Sequence, residues 1–296
     1  MRRLPGFVGV GAQKAGTTSL HAILSRHPQV FLPAAKETKF FSHDELYRRG
    51  PSFYASFFAD AGAATAAGEI DPDCLHHPEI ARRLLDTLGK ELRVIVMLRH
   101  PADRAYSQYL MSRYRGLENE PFERALEREP DRRRRGAFEA EHFSYVERGR
   151  YLAPVRRLRA AFERIAFVRF ERDFLGDRER TVRGLLEFLG VDAAVPLDLA
   201  AHRLPAAEAR FPAVQRMFHR PSRARNVVRG AVGSPAWKTR LRLAVERWNR
   251  RDPRRPRLDP DVRARVFRRY FADEIDELEA LVNASLDDWR PSSTDR

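Results

Sequence analysis

The run Gly11-Ala-Gln-Lys-Ala-Gly-Thr-Thr-Ser19 holds the residues whose types and spacing best suit chemistry. Gly11 and Gly16 have the G-x-x-x-x-G spacing of a phosphate loop. In such a loop, backbone N–H groups and a helix N-terminus hold an anion. Lys14, Ala15, Gly16, Thr17, Thr18 and Ser19 are the residues that would line it. The run departs in two places from the loop of a Mg²⁺-dependent kinase or nucleotide hydrolase. Thr17, not lysine, follows the second glycine, and the lysine is Lys14, in mid-loop. The apolar run Arg93–Leu98 is closed by Arg99, where such an enzyme would carry an aspartate for the ion. The pattern is that of a phosphate site that neutralises charge with Lys and Arg, and no metal is expected.

Arg99 is the second anion candidate, with Ser107 eight residues beyond it. A guanidinium meets a phosphate as a fork of N–H donors, and a serine can add a hydroxyl. Taken alone, the pair also fits a strand-end salt bridge and a solvent-facing helix serine. Together with the loop, it asks for a ligand with phosphate groups at both ends of a nucleoside.

These residues need elements to place them. Phe7 to Val10 reads as a short strand before the loop, and Thr17 to Arg26 as a helix after it, with Leu20, Ile23 and Leu24 on one face. Val30 to Leu32 reads as a second short strand. Arg93 to Leu98 is apolar through its centre, as buried parallel strands are, and Ile165 to Phe170 is another strand. Helices are expected at Glu79 to Leu88, from Pro101 onward, at Tyr151 to Phe162, and at Arg178 to Leu189 with Gly190 as its cap. Pro260 to Leu281 reads as one further helix, with Trp289 packing near its end. The charged stretch Glu118 to Glu141, with Arg132 to Arg135 in a row, reads as surface helix and loop. Strands alternating with helices imply an α/β, P-loop-like three-layer fold: a central parallel sheet flanked by helices. The 296 residues read as a single domain, 1–296, with a basic, Pro-rich, mostly helical part from about residue 200.

The loop QKAGTTSL, the segment KETKFF at Lys36 to Phe41, and LRHPADRAYSQY at Leu98 to Tyr109 resemble the sulfotransferases that use 3′-phosphoadenosine 5′-phosphosulfate (PAPS). Within them, the resemblance is to the branch of heparan sulfate sulfotransferases and related bacterial enzymes. It implies that Lys14 to Ser19 hold the 5′-phosphosulfate, and that Arg99 and Ser107 hold the 3′-phosphate. It implies Glu37 as the general base toward an acceptor hydroxyl, and Lys14 as the charge on the departing phosphate. Lys36 and Lys39 would keep Glu37 ionised. Tyr151 falls where the family approaches the nucleoside, and Arg210 where a late basic segment completes the 3′-phosphate site. On the acceptor side the chain departs from the branch: Lys39 stands where a histidine is frequent, and Glu69-Ile-Asp-Pro72 carries Ile70 in place of a lysine.

The expected reaction moves a sulfuryl group from PAPS to an acceptor hydroxyl of a carbohydrate, glycolipid or secondary metabolite, releasing 3′-phosphoadenosine 5′-phosphate (PAP). A P-loop kinase-like enzyme and a non-enzymatic polyanion binder are the alternatives. Composition bears on the partners. The net charge is +14, which favours anionic ones and leaves an anionic or membrane-associated acceptor open. No recognition motif accompanies the arginine run, so no specific nucleic-acid partner is expected. The nine histidines show no metal-ligand spacing. Cys74 is the single cysteine, and no run of about 18 apolar residues occurs, so a cytoplasmic location is expected.

Overall fold

The computed structural model describes residues 4–199, 208–209, 250–251 and 257–291. They form two compact units, the first from Met1–Arg104, Glu147–Leu204 and Pro260–Arg296, the second from Ala105–Val146 and Pro205–Asp259. The first unit is built on five strands: β1 (Phe7–Gly11), β2 (Val30–Phe31), β3 (Ala66–Ile70), β4 (Arg93–Leu98) and β5 (Ile165–Arg169). They lie in the order β2-β3-β1-β4-β5, every pair parallel. Burial runs unbroken along β1 and β3 and from the second residue of β4, as in a sheet covered on both faces. Flanking helices supply that cover, giving the three-layer α/β fold that the alternation of elements implies.

Connections leave β1 toward β3 and β2, and leave β4 toward β5, so β1 and β4 are neighbours whose continuations diverge. The crevice at the carboxyl ends of such strands is where open α/β sheets bind ligands. Gly11 and Leu98 mark those two ends here, and the amide of Ala12 donates to the carbonyl of Met97 at 2.6 Å, locking them together.

Helix α1 (Thr17–Leu24) follows β1, and two short helices, α2 (Asp44–Tyr47) and α3 (Gly50–Ser56), follow β2. Helix α4 (Ile80–Leu88) precedes β4, and α5 (Pro101–Tyr114) leaves it, running on into the second unit. There α6 (Phe122–Glu127), α7 (Glu129–Arg133) and α8 (Ala137–Phe143) bury Phe122, Ala125 and Leu126. The stretch expected as surface helix and loop thus has its own core. Within it Glu118, 3% exposed, accepts from Arg132 and from the Tyr145 hydroxyl. Also in the second unit, β6 (Glu208–Ala209) and β7 (Arg250–Arg251) pair antiparallel. The first unit closes with α9 (Leu152–Ala161), a π-helical turn Phe170–Leu175, α10 (Arg178–Leu189), α11 (Pro260–Tyr270) and α12 (Ile275–Val282).

Two of the differences from the sequence reading bear on packing. Strand β3 was not expected, because Ala-Ala-Gly-Glu-Ile has little of the β-branched content that marks strands. Its small residues serve close packing: a Cβ on Gly68 would stand 2.4 Å from the Phe7 ring. The single helix expected over Pro260 to Leu281 is broken at Ala272–Glu274 by a 3₁₀ turn. The break puts the Glu274 carboxylate where it accepts from Arg150 at 3.1 Å and from the Leu152 amide at 3.3 Å, at the start of α9. Trp289 is buried, as expected, and its carbonyl is hydrogen-bonded to the His100 ring.

Candidate active site

The phosphate loop spans the gap between β1 and α1. Gly16 is the α1 N-cap, with φ 87, and a Cβ there would stand 2.5 Å from the Phe170 ring. Both the left-handed backbone and the close ring require glycine. Lys14 also has positive φ, 71. Ala15 and Thr17 are buried, while Lys14, Thr18 and Ser19 are half-buried along the mouth of the loop.

The KETKFF segment lies against this loop. Phe40 and Phe41 anchor it, fully buried, with Phe40 stacked on Tyr54 at 4.6 Å between ring centroids. The residues ahead of the anchor are held open by positive φ at Glu37 (62) and Lys39 (61). Strain of this kind collects at functional sites. The Lys36 ammonium donates to Thr18 Oγ1 at 3.3 Å and to Glu37 Oε1 at 2.7 Å. It therefore bridges the phosphate loop and the candidate base. Lys39 Nζ lies 2.9 Å from Glu37 Oε2, 3.1 Å from Asp71 Oδ1 and 2.5 Å from Asp73 Oδ2.

The charges decide the ionisation of this cluster. Burial pushes the Glu37 carboxyl up, but Lys39 and Lys36 override it and hold it below the usual carboxylate range. Contact between opposite charges in a partly buried site is worth on the order of 4 kcal/mol, against about 1 kcal/mol in water. Burial would likewise discharge Lys39, yet Asp73, Asp71 and Glu37 raise it well above an ordinary lysine. Burial also acts on Asp73, and Arg148 with Lys39 outweighs it and holds the carboxyl low. Glu37, Asp71 and Asp73 have ligand atoms within 4.8 Å of one another, the one such group among the described residues, and an ammonium already sits among them. Beside them Glu69 is buried, accepting from Tyr54 at 2.7 Å and from the Thr38 hydroxyl at 2.7 Å; burial, with Asp71 nearby, raises it to about 7.

Arg99 stands at the end of β4, and its Nη1 donates to the Lys14 carbonyl at 2.9 Å, so the two anion-binding candidates of the first unit touch. Tyr151 is 1% exposed, and its hydroxyl donates to the Arg99 carbonyl at 3.0 Å. It presents almost no surface of its own and instead fixes the backbone of Arg99. Ser107 is half-buried on α5, in the part of that helix belonging to the second unit. Arg210 lies outside the described residues.

Three contributors went unread in the sequence. Phe170 and Glu171 lie on the π-helical turn, Phe170 under Gly16 and under the Arg99 guanidinium, whose Cζ is 5.1 Å from the ring centroid. Arg148 pairs with Asp73. The alternation of Glu69 and Asp71 at the end of β3 was a usable signal, because an extended chain puts every second residue on one side, whereas Asp73 comes from the turn that follows, with φ −83 and ψ −15.

Comparison with known proteins adds the following. Residues 6–238 match the family model described as a sulfotransferase domain. A membrane-associated sulfotransferase of Dictyostelium discoideum, kil1, is 36% identical over 112 residues, 37% of this chain and 23% of that protein. The human bifunctional heparan sulfate N-deacetylase/N-sulfotransferase 2 is 34% identical over 119 residues, 38% of this chain and 14% of that protein. These matches thus span less than a quarter of either relative. A crystal structure of a sulfotransferase from Alicyclobacillus acidocaldarius superposes with a TM-score of 0.70 at 26% identity, covering 97% of this chain and 99% of the other. With the family model matching most of its length, the chain belongs to the sulfotransferase family.

Proposed function

We propose that this sulfotransferase takes its sulfuryl group from PAPS and passes it to an acceptor hydroxyl, releasing PAP. The observation that carries the reading is the Lys36 bridge, because it puts a carboxylate base beside the loop that would hold the 5′-phosphosulfate. The N–H groups at the start of α1 with Lys14 would hold that end of the donor, and Arg99 the 3′-phosphate.

In this scheme the acceptor oxygen attacks sulfur in line with the departing phosphate oxygen. Glu37 takes the hydroxyl proton as the O–S bond forms. Lys14 balances charge on the phosphate as the S–O bond to the donor breaks. Lys36 links the two events. Its ammonium is shared between Thr18 and Glu37, so an anion on the loop draws it away from Glu37 and leaves that carboxylate more basic when a donor is present. Lys39 supplies the charge that Asp71, Asp73 and Glu37 need, and the step calls for no metal ion. The departures from the heparan-type pattern at Lys39 and Ile70 lie on the acceptor side and weigh against a heparan-type acceptor, and the acceptor hydroxyl is that of a carbohydrate, glycolipid or secondary metabolite. A cytoplasmic site of action goes with this reading.

Incubation with ³⁵S-labelled PAPS in EDTA, against a panel of carbohydrate, glycolipid and small hydroxyl acceptors, tests it. Labelled product should form with at least one acceptor. Retention of all label on PAPS, together with label transfer from γ-labelled ATP in Mg²⁺, would overturn it in favour of a kinase.

A further inference from the structure

Arg99 is held on every side. Its carbonyl accepts from Tyr151, its Nη1 donates to the Lys14 carbonyl, and its guanidinium lies over the Phe170 ring. Its Nε is buried with no hydrogen-bond partner among the described residues, 3.6 Å from Glu171 Oε1. Glu171 is fixed in turn, because the His100 amide donates to its two oxygens at 3.3 and 3.2 Å. Both residues that face Arg99 here, Phe170 and Glu171, come from the π-helical turn, a form that recurs at functional sites.

A phosphate arriving on this guanidinium would bring a second anion to a charge already shared with a carboxylate. Like charges at such range cannot both persist without a large penalty, and the usual relief is protonation of one. Glu171 is reachable for that, with 29% of its side chain exposed. We propose that Glu171 holds Arg99 in place for the donor's 3′-phosphate and takes up a proton from solvent when that phosphate binds. This rests on Arg99 being a 3′-phosphate ligand, as proposed above.

The surroundings single out Glu171 as the group that responds. Burial raises it to about 7, against the pull of Arg99 and the His100 amide. The charged and titratable groups that act on it among the described residues include Arg99, His100, Asp103 and Tyr151. Burial, with Arg263 nearby, lowers His100 to about 4, and its ring is bonded to the Trp289 carbonyl, so it stays neutral. Asp103 is paired with Arg263 at 3.0 Å. Burial pushes the Tyr151 hydroxyl up, out of range.

A bound phosphate raises the Glu171 pKa, so the complex binds more protons than the free protein. Affinity then falls as pH rises from the free toward the bound pKa. Calorimetric titration of PAP and 5′-AMP, which lacks only the 3′-phosphate, tests this on the wild type and on Glu171→Gln, in buffers of differing ionisation enthalpy. For the wild type the PAP-over-AMP affinity ratio should fall about tenfold between about pH 7 and about pH 9, with proton uptake on PAP. In Glu171→Gln the ratio should stay above one, lose its pH dependence, and show no uptake specific to PAP. A flat ratio in the wild type overturns the proposal, and so does an unchanged fall in the variant. Equal binding of PAP and AMP at every pH removes the reading of Arg99, and the proposal with it. Should Glu171→Gln fail to fold, the wild-type ratio and proton count decide alone.

Discussion

Glu37 carries one lysine on each carboxylate oxygen, Lys36 on Oε1 and Lys39 on Oε2. Its proposed duty and that of Lys14 separate by substitution. Glu37→Gln keeps the shape and removes the base, so turnover should drop by about 10²–10⁴-fold while PAP binding hardly changes. Lys14→Ala should lower turnover and weaken PAP binding together. Near-normal turnover in Glu37→Gln would pass the role to Asp71 or Glu69. The same geometry sets a pH dependence. A base works ionised, and Glu37 is held below the usual carboxylate range, so the acid limb of kcat/KM should lie below the ordinary glutamate pKa. Lys39→Met removes a counter-charge and should move that limb upward. A limb that stays in place, measured on folded variant, would show that Lys39 does not tune Glu37.

At the scale of elements, the phosphate loop depends on one glycine packed under one ring. Gly16→Ala puts a Cβ into the Phe170 ring and keeps a strained φ, which should cost roughly 1–3 kcal/mol and weaken PAP binding. Adding Phe170→Leu should return part of the loss, because it clears the contact and leaves the backbone strain. Equal thermal melts for wild type and Gly16→Ala would contradict this packing. How much of this could be read in advance varied by element. The bounds of β4 and α10 match the apolar run and the Gly190 cap, where local signal and tertiary role agree. The loop, Lys14 and Arg99 were visible in the sequence because charge and glycine spacing are local facts, whereas Glu37 enters only through the family resemblance. Strand β3 was not visible, since it has few β-branched residues and its Gly68 answers to the Phe7 ring, a distant residue in sequence. Nor was the break after α11, which exists for the Glu274 contacts at the start of α9. Phe170 read as the end of a strand and Glu171 as the residue beyond it, and nothing local marks the π-helical turn that aims them.

For the molecule as a whole, the proposed donor is a doubly phosphorylated nucleoside, in keeping with the net charge of +14 and with the contact between Lys14 and Arg99, the two candidate anion ligands at the β1 and β4 ends. A ligand that binds only the folded form at about a hundred times its Kd stabilises it by about 2.7 kcal/mol. PAP at that excess should therefore raise Tm by several degrees, and 5′-AMP at the same concentration by clearly less. Equal shifts would count against the assignment of Arg99. The first unit gathers its chain from three separate stretches, so a melt that follows its sheet reads residues from both ends of the sequence at once.

The π-helical turn has a consequence for descent. It holds one residue more than an α-helical turn would, and each residue turns a helix by about 100°. Losing a single residue anywhere in Phe170–Leu175 would swing Glu171 away from Arg99, or Asp173 away from Arg169, to which it is paired at 2.6 Å. Replacing side chains in this stretch is a graded change, whereas altering its length is abrupt. Lineages that keep this Arg99 arrangement should show substitutions here but no gaps, and a lineage with a gap should have lost its preference for the 3′-phosphate.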